Sequence, residues 1–224
     1  MGKEICQVLS EAGAIIAVAD IMYKSAETVA AGITSKGGQA ISVALDISDE
    51  KSIDNTFKIV NDQFKQVDIL INNAAIDVTK PIENLNVKEI GRIIDVNLKG
   101  TFLMCKYATG YMYGQRSGEI VNIASTAALR AWPETTAYHA TKWGIRGLSH
   151  ALFTEARKYN VKVSVVIPGG MKTPFLLERF PDIDQSKLQD PRQVAEVVKC
   201  VLSQPDETII PEVMVLPLQE TSWP

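Results

Sequence analysis

The sequence predicts an α/β protein with a parallel sheet, and two features of the chain lead to this class. Short, continuous apolar runs, such as A-I-I-A-V-A at residues 14–19, are typical of strands that are buried on both faces. These runs alternate with longer segments in which apolar residues recur at helical spacing. Strands that alternate with helices are joined by right-handed crossovers, which place successive strands in parallel.

The first helix is predicted over residues 3–12, because Ile5, Val8 and Leu9 fall on one face and Gly13 follows as a C-cap. The later helices are predicted at residues 25–35, 49–64, 87–113 and 191–202, with one more that begins near residue 138. The strands are predicted at residues 14–19, 40–45, 67–71, 120–124, 162–167 and 213–216, and residues 174–190 form a loop with a short helical piece. No repeat, low-complexity tract or linker divides the chain, so we expect a single domain over residues 1–224.

Composition narrows the class of protein. An apolar content of 46% and a charged content of 22% are typical of a globular protein. A net charge of −3 gives no electrostatic reason to expect nucleic acid or an anionic membrane as a partner, and no apolar run approaches the roughly 20 residues of a spanning helix. The 3 cysteines are widely spaced, which argues against disulfides and a metal site and favours a reducing, cytoplasmic location.

A possible catalytic pair lies at the start of the helix near residue 138. Tyr138 and Lys142 are four residues apart, so on a helix they share one face. A phenol has a reference pKa of about 10, and a nearby cation lowers that pKa, which would let Tyr138 act as a general acid or base. Ser125 follows a predicted strand at the end where open α/β sheets bind ligands. Its hydroxyl is placed to hold a substrate oxygen against the phenol.

An isolated Y-x-x-x-K match is usually two solvated residues, so the surrounding motifs decide its meaning. The chain also contains Asn97 in V-N-L-K-G-T-F, the run N-N-A-A at residues 72–75 and P-G-G-M-K-T at residues 168–173. With these motifs in this order, the sequence resembles the short-chain dehydrogenase/reductase family over nearly its whole length. The resemblance implies a Rossmann-like, doubly wound parallel sheet.

The resemblance also implies a role for each residue of the catalytic set. Tyr138 would transfer the proton at the carbonyl or carbinol oxygen, and Ser125 would orient that oxygen. Lys142 would lower the pKa of the tyrosine and bind the nicotinamide ribose. Asn97 would hold a water molecule that links Lys142 to solvent. His139 points to another side of the helix, and no catalytic role is expected for it.

The expected cofactor is NAD. Asp20 ends a strand at the place where the family binds the adenosine ribose, and a carboxylate there repels the 2′-phosphate of NADP. Lys24 is near enough in sequence to keep NADP open as an alternative. The other residues that the resemblance assigns to the cofactor are Asp46, Ile47, Asn73, Met171 and Thr173, together with Tyr138 and Lys142.

The beginning of the chain departs from the family pattern. That pattern opens with a strand and a glycine-rich turn, T-G-x-x-x-G-x-G, whereas here Gly2 matches only the last glycine. We therefore expect that the sequence begins downstream of the natural start and that the sheet lacks its first, central strand. Each buried backbone group left without a partner costs about 1–3 kcal/mol. Gly2 is still expected to approach the cofactor pyrophosphate.

The resemblance implies an NAD(P)-dependent oxidoreductase that transfers a hydride between nicotinamide and a secondary alcohol or ketone, with 3-oxoacyl thioesters among the candidate substrates. A protein that keeps the fold but serves as a binding or assembly subunit remains an alternative. A sugar-nucleotide epimerase is disfavoured, because the tail after Pro191 is too short for a substrate domain. A homodimer or homotetramer is expected, and apolar residues at 175–180 lie where the family keeps a mobile lid.

Overall fold

The computed structural model describes residues 1–220 and has an α/β architecture. The strands are β1 (Ile16–Asp20), β2 (Ala40–Ala44), β3 (Ile69–Asn72), β4 (Gly118–Ile123), β5 (Val161–Pro168) and β6 (Glu212–Val215). The helices are α1 (Gly2–Glu11), α2 (Tyr23–Thr34), α3 (Glu50–Phe64), α4 (Val87–Ile94), α5 (Thr101–Gln115), α6 (Thr136–Ala156), α7 (Pro174–Leu177) and α8 (Pro191–Leu202). Residues 221–224 of the expected domain lie outside the described residues.

All four strand pairs are parallel, which confirms the predicted fold class. The strands form a two-stranded sheet, β1-β2, and a four-stranded sheet, β3-β4-β5-β6. Helices cover both faces, and successive strand residues alternate between them. In β4, Val121 and Ile123 join a core with α1, α2 and α8, whereas Ile120 joins a core with α3 and α5. This two-sided burial is why the strands read as continuous apolar runs.

The sheet is interrupted between β1 and β3, as the sequence predicted. In a parallel ladder, alternate residues direct their backbone groups to opposite neighbours. The Asp20 carbonyl accepts from Leu45 on the β2 side, so Ala17 and Ala19 direct theirs away from β2. The Asp68 carbonyl accepts from the Glu119 N–H on the β4 side. Ile69 and Ile71 therefore direct their backbone N–H and C=O groups away from β4. Within residues 1–220, no strand pairs with these two edges.

One predicted helix is divided. Residues 87–113 were expected to form a single helix, but α4 and α5 are separated by a π-helical segment, Asp95–Gly100, that contains Asn97. Single π turns inside helices occur often at functional sites. Gly100 ends this segment against the loop after β2, where an added Cβ would lie 2.7 Å from the Ile47 carbonyl oxygen. The expectation of one regular helix was therefore wrong, because the spacing of apolar residues does not show the wider turn of a π-helical segment.

Two further findings concern membrane-spanning and metal-binding proteins, which the composition had disfavoured. Among the helices of residues 1–220, none has both the length and the apolar character needed to cross a bilayer. The same residues contain no cluster of three or more potential metal-ligating side chains. Cys6, Cys105 and Cys200 are free thiols, and Cys105 is buried in the core.

Amide hydrogen exchange tests the interruption. Ala17 and Ile71 direct their N–H groups into it, whereas Val18 and Leu70 direct theirs to paired strands. We expect protection of the first two amides to be lower by about tenfold or more, because they have no acceptor strand. Residue-resolved exchange by NMR measures the contrast. Equal protection of neighbouring residues along β1 and β3 would contradict the described pairing.

Candidate active site

A cavity of about 1300 Å³ opens at the carboxyl ends of β1, β3, β4 and β5, and it extends into the interruption of the sheet. Ten of the eleven residues predicted for the site line it: Gly2, Asp20, Asp46, Ile47, Asn73, Ser125, Tyr138, Lys142, Met171 and Thr173. Asn97 lies behind the wall of the cavity and is fully buried. The structure thus brings the predicted residues to one place, although they span most of the chain.

Ser125 and Tyr138 meet at the end of β4. The strand ends at Ile123, and Ser125 caps a short 3₁₀ turn in which its Oγ accepts from the Ala127 N–H at 3.2 Å. Helix α6 begins at Thr136, which places Tyr138 in its first turn. The Ser125 hydroxyl lies close enough to the phenol to lower the pKa of Tyr138. One carbonyl oxygen can therefore contact both hydroxyl groups.

Lys142 follows one helical turn after Tyr138. Its Nζ donates to the Ile123 carbonyl oxygen at 2.9 Å and lies 5.5 Å from the centroid of the Tyr138 ring. Only 2% of the residue is exposed. The predicted common face of the helix is therefore present, with the ammonium group directed at the strand.

Burial determines the acidity of both groups. It raises the pKa of Tyr138 to about 12, against the smaller lowering effects of the Ser125 hydrogen bond and the Arg179 charge. Burial also lowers the pKa of Lys142 to about 8. The net shift of the Tyr138 pKa is therefore upward, opposite to the expected lowering, because loss of hydration outweighs the neighbouring charges. The role expected of Lys142 toward the phenol stays a prediction. Near neutral pH Tyr138 keeps its proton.

Asn97 is bound to protein groups. Its Oδ1 accepts from the Ile76 N–H, and its Nδ2 donates to the Ile76 carbonyl, both at 2.8 Å. The same Nδ2 donates to Thr141 Oγ1 at 3.2 Å. Asn97 thus ties the loop after β3 to the catalytic helix. Its expected role in holding a water stays a prediction.

Two carboxylates end neighbouring strands on one side of the cavity. Asp20 ends β1, and its Oδ1 accepts from the Met22 N–H at 2.8 Å. Asp46 follows β2, and its Oδ1 accepts from the N–H and hydroxyl of Ser48 at 2.9 and 2.6 Å. These hydrogen bonds hold the pKa of Asp46 below its usual value. Both groups are placed to accept hydrogen bonds from a ligand.

Gly2 and Asn73 approach each other closely across the interruption. A Cβ on Gly2 would lie 2.8 Å from the Asn73 Nδ2, so only glycine fits without displacement of the amide. Gly2 is the first residue of α1, whose N-terminus carries partial positive charge. At the other side of the cavity, Thr173 is nearly buried and caps α7, and its N–H donates to the Met171 carbonyl at 2.8 Å.

His139 is a structural residue that the sequence did not identify. Its Nδ1 lies 2.8 Å from the Ala127 carbonyl oxygen, and its Nε2 accepts from the Trp132 N–H at 3.3 Å. Its ring also meets the indole edge-on, with centroids 4.9 Å apart. His139 therefore fixes Trp132 at the edge of the cavity. Neither partner lies at a spacing that a sequence pattern could recognise.

An ion pair between Asp77 and Arg179 was also missed. The two residues are 102 positions apart, so no local pattern connects them. Both line the cavity near Tyr138. The Phe175 ring lies 5.9 Å from the Tyr138 ring and 3.9 Å from the Cζ atom of Arg179.

Comparisons with known proteins agree with this geometry. A family model described as short chain dehydrogenase matches residues 1–184. An uncharacterized oxidoreductase of Staphylococcus aureus is 31% identical over 218 residues, which cover 97% of this chain and 93% of that protein. A similar protein of Staphylococcus epidermidis is 29% identical over the same shares of each chain.

Two solved structures are also similar. A metagenomic short-chain oxidoreductase in complex with NADP has 28% identity and a TM-score of 0.86, covering 98% of this chain and 92% of that one. The alcohol dehydrogenase of Thermococcus sibiricus, complexed with 5-hydroxy-NADP, has 25% identity and a TM-score of 0.89, covering 97% and 92%. The matched family model spans most of the chain, and the chain belongs to the short-chain dehydrogenase family.

Proposed function

We propose that the protein is an NAD(P)-dependent oxidoreductase that transfers a hydride between nicotinamide and a secondary alcohol or ketone. The observation that carries the proposal is the meeting of Ser125, Tyr138 and the buried Lys142 at one end of the large cavity. The relatives are named as oxidoreductases, which supports this activity, and the two similar structures hold NADP or a derivative of it.

The cavity fits a nicotinamide nucleotide. Asp20 and Asp46 line the cavity at the ends of β1 and β2, and we assign them to the ribose hydroxyls and the adenine amino group. Gly2 lines the cavity at the N-terminus of α1, where the free N–H groups of the first helical turn would bind a pyrophosphate. Met171, Thr173 and Lys142 would hold the nicotinamide end. When bound, the cofactor supplies or accepts the hydride.

The residues of this chain would handle the oxygen and its proton. Ser125 Oγ donates a hydrogen bond to the carbonyl oxygen and positions it against the phenol. Tyr138, protonated at neutral pH, donates its proton to that oxygen as the alcohol forms. In the reverse direction Tyr138 must first lose its proton, so oxidation is expected to become faster as pH rises.

We propose NAD as the cofactor and keep NADP as the alternative. The Asp20 carboxylate would repel a 2′-phosphate, and the Lys24 ammonium is already paired with Glu27 at 2.6 Å. The alternative is supported by the NADP in the similar structures.

The substrate side of the cavity is largely aromatic. Trp132, Phe175 and Phe180 line it and are each between 37% and 38% exposed. Such walls suit a partly apolar alcohol or ketone, and a 3-oxoacyl thioester remains a candidate.

The free thiols support a cytoplasmic location, and exposed Phe102 and Trp143 on α5 and α6 support the expected homodimer or homotetramer.

A second function is favoured by the interrupted sheet. The gap adjoins Gly2, at the place proposed for the pyrophosphate, and a protein with a weakened cofactor site could serve as a binding or assembly subunit. Calorimetric titration with NADH and NADPH separates the two functions. Failure of both to bind at millimolar concentration would exclude the oxidoreductase.

Tyr138→Phe tests the proton donor. We expect kcat/KM for ketone reduction to fall about 100-fold or more, because the ring remains but the proton is lost. Cofactor affinity should change little, and Tyr159→Phe, which alters a tyrosine stacked on Tyr113, serves as the control. Retained activity in Tyr138→Phe would remove this residue from the mechanism.

Lys142→Met tests the energetic cost of the buried ammonium. Near pH 7 we expect the free energy of unfolding to rise by about 1–3 kcal/mol, because an apolar side chain replaces a desolvated charge. The folded lysine loses its proton near pH 8, whereas the unfolded one does so near 10.5. Between these values the unfolded wild type binds more protons, so wild-type stability rises with pH.

The advantage of Lys142→Met over wild type should therefore shrink from pH 8 towards pH 10.5. Denaturant titrations at several pH values measure this change, and Lys88→Met, on the exposed face of α4, is the matched control. A constant difference between variant and wild type across this range would refute the assigned pKa shift.

Asp20→Ala tests cofactor choice. Removal of the carboxylate should lower the ratio of kcat/KM with NAD to that with NADP by about tenfold, because a 2′-phosphate is no longer repelled. Asp62→Ala, at an exposed site on α3, should leave the ratio unchanged. An unchanged ratio in Asp20→Ala would show that this residue does not face the adenosine ribose.

A further inference from the structure

The guanidinium group of Arg179 is held at the reacting end of the cavity. Its Nε donates to the Phe175 carbonyl oxygen at 2.7 Å, and its Cζ lies 3.9 Å from the centroid of the Phe175 ring. That ring in turn lies 5.9 Å from the ring of Tyr138. Arg179 and Tyr138 thus lie beside the same phenyl ring, and the Arg179 charge is near enough to the phenol to lower its pKa.

Asp77 neutralises and orients this arginine. Its side chain is only 1% exposed, and its Oδ2 accepts from Arg179 Nη1. Its Oδ1 accepts from the Val78 N–H at 2.8 Å, which fixes the carboxylate on the loop after β3. Burial raises the pKa of Asp77, while the guanidinium opposes that change. The pair brings no net charge into the cavity when both groups are ionised.

Arg179 keeps unused hydrogen-bond donors. A guanidinium has five N–H donors, and the protein acceptors are the Phe175 carbonyl for Nε and Asp77 for Nη1. Within residues 1–220, Nη2 has no protein acceptor, although the side chain is only 20% exposed and lines the cavity. An acceptor on a bound molecule would therefore gain a charge-assisted hydrogen bond.

We propose that Arg179 binds a second, uncharged oxygen of the substrate, a few bonds from the oxygen that Ser125 and Tyr138 hold. Ester, thioester and amide carbonyls are acceptors of this kind. Asp77 makes the site select against a carboxylate, because an anion beside Arg179 would also lie beside a buried negative charge. This inference rests on the proposed oxidoreductase and specifies its substrate as a ketone or alcohol that carries a second oxygen function.

The test compares three small ketones. Ethyl acetoacetate has a second, neutral carbonyl, 2-pentanone has none, and acetoacetate carries a carboxylate at that position. Arg179→Gln should lower kcat/KM for ethyl acetoacetate about tenfold more than it lowers that for 2-pentanone, chiefly through KM. Equal losses on the two ketones would mean that Arg179 only packs the cavity wall, and would overturn the proposal.

Asp77→Asn gives the complementary test. It leaves Arg179 with an uncompensated charge, so the ratio of kcat/KM for acetoacetate to that for ethyl acetoacetate should rise about tenfold. An unchanged ratio would overturn the role of Asp77. Arg192→Gln removes an arginine from the exposed Glu11 pair and should change neither comparison.

Direct binding separates failure of this inference from failure of the proposed function. NMR titration of the protein with ethyl acetoacetate and 2-pentanone measures affinity without turnover. If no ketone is reduced but ethyl acetoacetate binds more tightly and loses that advantage in Arg179→Gln, the oxidoreductase falls while the oxygen site stands. Equal affinities for the two ketones in the wild type overturn the site. If Arg179→Gln does not fold, Arg179→Lys, which keeps the charge but loses the Nη2 donors, is judged by the same criteria.

Discussion

The site depends on one buried contact, between the Lys142 ammonium and the carbonyl oxygen of Ile123. Ile123 ends β4 and Lys142 lies in the second turn of α6, so this contact fixes the catalytic helix against the end of the strand. Ser125 follows the strand by two residues, and Tyr138 precedes Lys142 by one helical turn. The contact between Lys142 and Ile123 therefore helps to position both hydroxyl groups. This contact holds the ammonium group away from water, which lowers the pKa of Lys142.

The cavity is held together by helices where the sheet is interrupted. Its residues lie on both sides of the gap, with Asp20 on the two-stranded sheet and Ser125 on the four-stranded one. The core around α1, α2 and α8 includes Val18 of β1 and Val121 of β4, so apolar packing joins the two sheets without a backbone ladder between them. The relative placement of Asp20 and Ser125 therefore depends on this core.

Local patterns predicted much of the fold and the site, but long-range contacts lay beyond them. The parallel sheet followed from apolar runs, and the shared face of Tyr138 and Lys142 followed from their spacing, because both are properties of a few adjacent residues. The direction of the tyrosine pKa shift did not follow, since it depends on how much water the folded chain excludes. The partners of Asn97 and Arg179 lie 21 and 102 residues away, where only the fold can bring them together.

The charges around Tyr138 act on its pKa in opposite directions. Arg179 favours the phenolate and Asp77 disfavours it. Because the two are joined as an ion pair, their effects on Tyr138 oppose each other, and burial decides the outcome. A neutral acceptor bound to Arg179 leaves this balance unchanged, whereas an anion would stabilise the protonated phenol further. The phenol therefore keeps its proton near neutral pH, as the proposed reduction of a ketone requires.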